Sequence, residues 1–235
     1  MSDLKLNSQG QGLIAFSAEN RLTWASINFG AAAVATTSCG ADSAILLHLL
    51  SIWAPETSIY FIDTKFHFPE TLAYKRQLES RLGLNIQTLS PADAPNASPM
   101  ERGRLWETDP DACCRIHKSE VLEKALADSA IWITGLRREQ SKIRGSIGLV
   151  EELAGGRVKF NPIFDWSAGD MERYFRNHDL PRHPLMDKGY SSIGCAPCTR
   201  CPIKADDPRS GRWAGQEKTE CGIHFLYQKP KTQAT

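Results

Sequence analysis

Residues 31–53 read AAAVATTSCGADSAILLHLLSIW. A small apolar run, 31–37, is broken at Ser38-Cys39-Gly40-Ala41-Asp42-Ser43 and followed by an apolar segment, 44–53, that Pro55 closes. The first piece predicts a buried strand and the second a helix. Such a strand–turn–helix unit gathers backbone N–H groups at a helix N-terminus, which suits an anion such as a phosphate. The turn lacks the Gly-Lys-Ser/Thr of a Walker loop and is too short for a dinucleotide fingerprint. Taken alone, it is equally an ordinary βα turn.

Outward from this unit the same alternation continues. Strands are expected at 58–62 (SIYFI), 84–89, 131–134 and 158–160. Helices are expected at 69–81, with Pro69 first and Gly83 just past its end, from Pro110 to about residue 127 behind the N-cap Asp109, and from the cap Ser167 to about residue 176. A lead-in helix is expected within 13–27. Residues 90–100, with Pro91, Pro95 and Pro99, read as a loop, and 135–145 (GLRREQSKIRG) as a basic polar loop. Strands alternating with helices predict an α/β fold, a parallel sheet covered on both faces.

The 235 residues suffice for one substantial core, and a net charge of +1 does not indicate a global nucleic-acid or anionic-membrane binder. No apolar run reaches transmembrane length. The start, MSDLKLNSQGQG, is not a secretory signal, so a cytoplasmic location is expected. There thiols stay reduced, and seven cysteines are ligands or catalysts before they are disulfides.

Cys195 and Cys198 form a C-x-x-C pair, and Cys113 and Cys114 stand side by side upstream. Two pairs supply the four thiolates of an iron–sulfur cluster or an all-cysteine zinc site, and spacing does not choose between them. The first helical turn, with its partial positive charge, favours thiolates at Cys113 and Cys114. Adjacent helical residues point about 100° apart, so one ligand plus one core cysteine is the plain alternative. Lys118, four residues after Cys114, is a cation for a negative cluster or a bound sulfate, or a solvated helix lysine. Arg137, Arg138 and Arg144 in the loop, and Arg209, Arg212 and Lys218 in the tail, suit anionic oxygens or solvent equally. Cys221, in the polar tail, is read as the reacting thiol. Cys201 is read as a spare thiol, Cys39 as a small buried residue and His48 as packed within its helix.

Together these residues resemble the thioredoxin-dependent adenylyl-sulfate (APS) reductases, the cluster-bearing branch of the phosphoadenylyl-sulfate (PAPS) reductase family. The resemblance runs over about residues 29–224. Residues 38–43 are similar to the modified PP-loop, and Phe61-Ile62-Asp63-Thr64 with Phe68-Pro69-Glu70-Thr71 to the family's Asp-Thr…Phe-Pro-Glu-Thr segment. Residues 109–118 resemble its double-cysteine block and 134–141 its Thr-Gly-x-Arg-Arg-x-Gln-Ser block. Gly211-Arg212-Trp213 and Glu220-Cys221-Gly222-Ile223-His224 close the set.

The resemblance implies an adenine-nucleotide α-hydrolase-like (PP-loop) parallel sheet with helices on both faces. Residues 1–180 would form the nucleotide-binding layer, and 181–235 a C-terminal active-site segment of the same domain. It implies a [4Fe–4S] cluster on Cys113, Cys114, Cys195 and Cys198, with Lys118 between cluster and sulfate. Ser38, Gly40, Ala41, Asp42, Gly135, Arg144, Arg209, Arg212 and His224 fall at substrate-binding positions, and Cys221 at the catalytic one. The implied reaction takes APS to sulfite and AMP through an S-sulfocysteine, in sulfate assimilation and cysteine biosynthesis. Thioredoxin or a glutaredoxin-like protein would be the reductant, and the assembly expected is a homo-oligomer, with no nucleic-acid or membrane partner. The alternatives are a PAPS or dual-specificity reductase, an ATP-pyrophosphatase-type enzyme that would leave Cys221 idle, and a zinc-stabilised nucleotide-binding module.

Overall fold

The computed structural model describes residues 12–91, 104–153, 156–203 and 207–224. The loop expected over 90–100 therefore lies almost wholly outside the described residues. The first helix given in full by the described residues is α1 (Ala18–Phe29), whose N-cap Ser17 accepts from the Asn20 amide; of the lead-in helix expected within 13–27, it takes up the part from residue 18. Strand β1 (Ala33–Thr37) leads into α2 (Ser43–Trp53), as expected. Next come β2 (Ser58–Ile62), α3 (Pro69–Leu82), β3 (Ile86–Leu89) and a one-turn helix α4 (Leu105–Thr108) that the sequence did not announce.

The helix expected from 110 to 127 is interrupted. It runs as α5 (Pro110–Cys114), then a π turn (Arg115–Ser119), then α6 (Glu120–Leu126). Asp109 caps it by accepting from the Ala112 amide. Strands β4 (Ile131–Ile133), β5 (Val150–Glu152) and β6 (Val158–Phe160) and helix α7 (Ala168–Asn177) complete the layer. Ser167 and Asp170 form a reciprocal capping box at α7.

Among the described residues the strands form one six-stranded sheet in the order β3-β2-β1-β4-β6-β5. All neighbours are parallel except β5, which runs antiparallel to β6. Side-chain alternation along each strand decides which face each residue serves. Ala33, Ala35, Ile59, Phe61, Ile131, Ile133, Val158 and Phe160 join the larger core, with Leu22, Leu47, Tyr74 and Phe175 from α1, α2, α3 and α7. Val34, Ile62 and Trp132 face the other way, against Val121, Leu122 and Leu126 of α6. Both faces of the parallel sheet are thus covered. On that second face the partly buried Ile223 of the tail packs beside α6.

The connection after β1 goes to β2 on one side, and β4 lies on the other. That reversal opens a crevice at the strand C-termini, where open α/β sheets bind ligands. Residues after 180 fold back over it: Tyr74 Oη donates to the Pro181 carbonyl at 2.7 Å, and Leu185 and Ile193 bury Ala41.

Candidate active site

A cavity of about 360 Å³ fills the crevice. Its walls bring together every substrate-binding position expected from the sequence: Ser38, Gly40, Ala41 and Asp42 after β1, Gly135 after β4, Lys118, Arg144, Arg209, Arg212 and His224. Cys221 lines it too. Residues nearly 190 apart in sequence meet here because the 38–43 turn and the 134–144 loop leave adjacent strands, and the tail closes over both.

The turn after β1 is tight. Cys39 takes φ +47°, in the left-handed region, and its amide donates to Thr37 Oγ1 at 3.0 Å. Its thiol is fully buried, and burial pushes it up to about 12, so it is inert at neutral pH, as its small buried character suggested. A Cβ on Gly40 would stand 3.3 Å from the Ile193 carbonyl, a close approach that seats the turn against the 193–198 loop. Asp42 holds Arg137 at 2.8 Å. Arg137 is buried, and its Nε has no partner.

The tail is tied down at several points. Gln216 Nε2 donates to the Trp106 carbonyl at 3.2 Å, and Lys218 pairs with Asp111. Arg209 donates to the Thr219 carbonyl at 3.2 Å. The Glu220 carboxylate takes Arg144 on both oxygens, at 2.9 and 2.8 Å, and lies 2.9 Å from Arg209. Cys221 follows directly. Burial alone would raise its pKa, but Lys118, the Ile223 amide and Arg212 outweigh that, and the thiol is held below its ordinary value. The site therefore favours a thiolate at Cys221. His224 is held neutral: burial, then the Arg144, Lys159 and Arg209 charges, keep its pKa well below the usual value. Its Nδ1 is buried without a partner.

The four paired cysteines converge beside this cavity. Cys113, Cys114, Cys195 and Cys198 line one small enclosed space with Phe66, Trp106 and Lys118. None is in a disulfide. The π turn that begins at Arg115 widens the helix directly after the adjacent pair, and π turns occur often at functional sites. Burial, with the thiols of Cys114, Cys195 and Cys198, pushes Cys113 up to about 12; burial, then Cys195, pushes Cys198 up to about 11. Thiols packed this way ionise at neutral pH only when a cation shares their charge, which is the chemistry of a thiolate-bound metal group. The donor set fits such a group, although among the described residues no three His, Cys, Asp or Glu side chains form a single-ion site. Lys118 sits between the two centres. Burial disfavours its ammonium, yet Cys195, Cys221 and Cys114 raise its pKa above the ordinary value.

Other sequence expectations fall outside the site. His48 packs away from it, bonded through Nδ1 to Tyr174 Oη at 2.9 Å. Cys201 is exposed. Arg137 and Glu220 both stand inside quoted motifs, but their partners, Asp42 for the first and Arg144 and Arg209 for the second, only folding supplies.

Residues 32–201 match the phosphoadenosine phosphosulfate reductase domain. A Streptomyces coelicolor protein named adenosine 5'-phosphosulfate reductase is 40% identical over 205 residues, 86% of each chain. A Gloeobacter violaceus protein named phosphoadenosine 5'-phosphosulfate reductase is 43% identical over 202 residues, 83% of each chain. Among solved structures, the phosphoadenylyl-sulfate reductase from Candida auris superposes with a TM-score of 0.73 at 25% identity, covering 85% of this chain and 98% of that one.

Proposed function

The chain belongs to the phosphoadenosine phosphosulfate reductase family, and from that premise we propose that it reduces APS to sulfite and AMP, with Cys221 as nucleophile and a thioredoxin-type dithiol as electron donor. It would do so in the cytoplasm, for sulfate assimilation and cysteine biosynthesis. One observation carries the reading. A thiol held toward its thiolate lines the same cavity as the turn after β1 and five cationic side chains, Lys118, Arg137, Arg144, Arg209 and Arg212.

The substrate anion would lie between the 38–42 turn and these cations, with the AMP leaving group on the turn. Cys221 attacks the sulfur; an S–S bond forms as the sulfur–oxygen bond breaks, and AMP leaves with the bonding pair. Cationic neighbours offset the charge on the transferring sulfonate and the departing phosphate. A reductant thiolate then attacks Cys221 Sγ, sulfite leaves with the S–S electrons, and the reductant's second thiol resolves the mixed disulfide. The donor ends as a disulfide and Cys221 as a thiol. Cys113, Cys114, Cys195 and Cys198 would hold a [4Fe–4S] cluster, whose chemistry there is that of a compact negative charge beside Lys118. In this reading 1–180 and 181–235 are two parts of one domain, since the second completes the cavity of the first.

The test is a single turnover of anaerobically purified protein with labelled APS, read by intact mass with an iron and sulfide count. A sulfite-sized adduct that Cys221→Ser abolishes, together with four irons, supports the proposal. Zinc in place of iron, with no adduct, overturns it. PAPS is the second reading, favoured by the name of the Gloeobacter relative; an adduct from PAPS alone would move the substrate and leave the chemistry.

A further inference from the structure

Strand alternation puts Val158 and Phe160 into the larger core and turns Lys159, between them, to the opposite face. In register beside it on β4 stands Trp132. Lys159 is fully buried, an unusual place for an ammonium on a parallel sheet. A buried charge persists only when its donors are met. Glu151 of β5 meets one, at 3.1 Å. Another goes out of the sheet altogether, to the backbone carbonyl of His224 at 3.1 Å. The ammonium also lies 5.9 Å from the centre of the Trp132 ring. That same ring carries the His224 imidazole, stacked at 5.5 Å and 14°. Its indole N–H is fixed by Thr36 Oγ1 at 2.9 Å, which holds the stacking plane in place.

The contacts are thus made to both the backbone and the ring of one tail residue. Of the three ammonium donors, Glu151 of the sheet takes one and the tail, through the His224 carbonyl, takes another. Next to His224, Ile223 packs into the cluster that contains Trp132. His224 is three residues from Cys221, a span of at most about 10 Å of extended chain. Seating His224 therefore keeps the thiol within that reach of the docked residue, at the cavity it lines.

We propose that Lys159, with Trp132 beside it, is the post on which the Cys221 segment docks, and so a positioning residue for that thiol. It acts through the tail backbone and touches no reacting atom. The name "nucleophile" for Cys221 rests on the proposed function; the docking itself does not.

The test uses the full, metal-loaded chain without substrate. Cys221 alkylation by iodoacetamide is followed by peptide mass, with exposed Cys201 as the internal standard, and amide exchange is followed over residues 216–224. Lys159→Met should raise the Cys221-to-Cys201 labelling ratio about tenfold, the effect of one lost hydrogen bond to a charged group, and speed exchange in the tail. Lys159→Met/Glu151→Gln removes both charges of the pair and should do the same while keeping the melting temperature near that of the parent. Trp132→Phe, which keeps an aromatic ring, should raise the ratio about threefold, as expected for part of a stacking contact. An unchanged ratio and unchanged tail exchange in the folded double variant, or in Trp132→Phe should the lysine variants not fold, overturns the proposal. Raised labelling in a protein that forms no sulfite adduct would keep the post and sink the reductase reading.

Discussion

Arg144 grips Glu220 with two arms of its guanidinium, Nε donating to one carboxylate oxygen at 2.9 Å and Nη2 to the other at 2.8 Å. Arg209 stands 2.9 Å from the second oxygen. Glu220, next to Cys221, thereby engages two cations that the sulfate or phosphate of the proposed substrate would use. In that reading the carboxylate both ties the tail down and competes with the substrate anion.

Glu220→Gln should therefore bind AMP about tenfold more tightly, since about 1.4 kcal/mol of competition removed is a factor of ten. It should also lower the melting temperature by several degrees, because two largely buried guanidiniums lose their counter-charge. Calorimetric titration with AMP and a thermal melt check both. Weaker AMP binding would mean that Glu220 orients the arginines instead of competing for them.

Gly194 makes room for Arg212. A Cβ there would stand 2.6 Å from the guanidinium carbon, and Arg212 also reaches the Cys198 carbonyl at 3.4 Å. Gly194→Ala should push the flexible guanidinium aside, cutting turnover with only about 1 kcal/mol lost in stability. Gly211 differs: its Cβ would meet backbone, standing 2.8 Å from the Cys201 carbonyl oxygen. Gly211→Ala should damage the cysteine loop itself, by about 2–3 kcal/mol. Paired denaturation curves and initial rates separate the two, and equal stability loss would show that the guanidinium cannot move.

Lys118→Ala should slow adduct formation about 100-fold, the scale of one lost electrostatic contact at a reacting centre. It should also raise the pKa of Cys221, which Lys118 holds down. The rate of Cys221 alkylation against pH reads that shift, and the iron content should stay at the parental value. An unshifted profile would remove Lys118 from the thiol's surroundings.

His183 makes a pH prediction. It is fully buried, with Nε2 3.0 Å from Thr71 Oγ1, and its Nδ1 accepts from the Leu185 amide at 3.1 Å. Nδ1 is thus the acceptor of a neutral ring, and burial lowers the pKa to about 4 despite the opposing pull of Glu70. In the unfolded chain the ring takes a proton below about 6.5. Between these values the unfolded state binds more protons, so stability falls as pH drops from about 6.5 to about 4 and levels below. The size is on the order of 3 kcal/mol, at 1.36 kcal/mol per unit. Urea titrations from pH 7.5 to 4.5 should show a flatter pH dependence in His183→Gln; an identical slope would refute the assignment.

The strands and most helices were legible because their signals are local: β1 and α2 from apolar runs around 38–43, α3 from Pro69 and Gly83, α7 from the Ser167 and Asp170 box. The misses have equally local causes. β5 is three half-buried residues, Val150-Glu151-Glu152, with no alternation to read, and is a strand only because β6 pairs with it. The π turn at 115–119 has no compositional mark. It separates two segments whose caps and apolar positions belong to one helix.

By itself the sequence determined the alternating α/β layer, the turn after β1, the two cysteine pairs and the motifs at 134–141, 211–213 and 220–224. Residue type and short-range spacing carry that information. Only the tertiary structure decided what meets across long separations. It brought Cys113 to Cys195, Asp42 to Arg137, Glu220 to Arg144 and Arg209, and His224 to Lys159 and Trp132. Those pairings follow from strand order and from which face of the sheet each side chain takes, and both are set by burying the whole core at once.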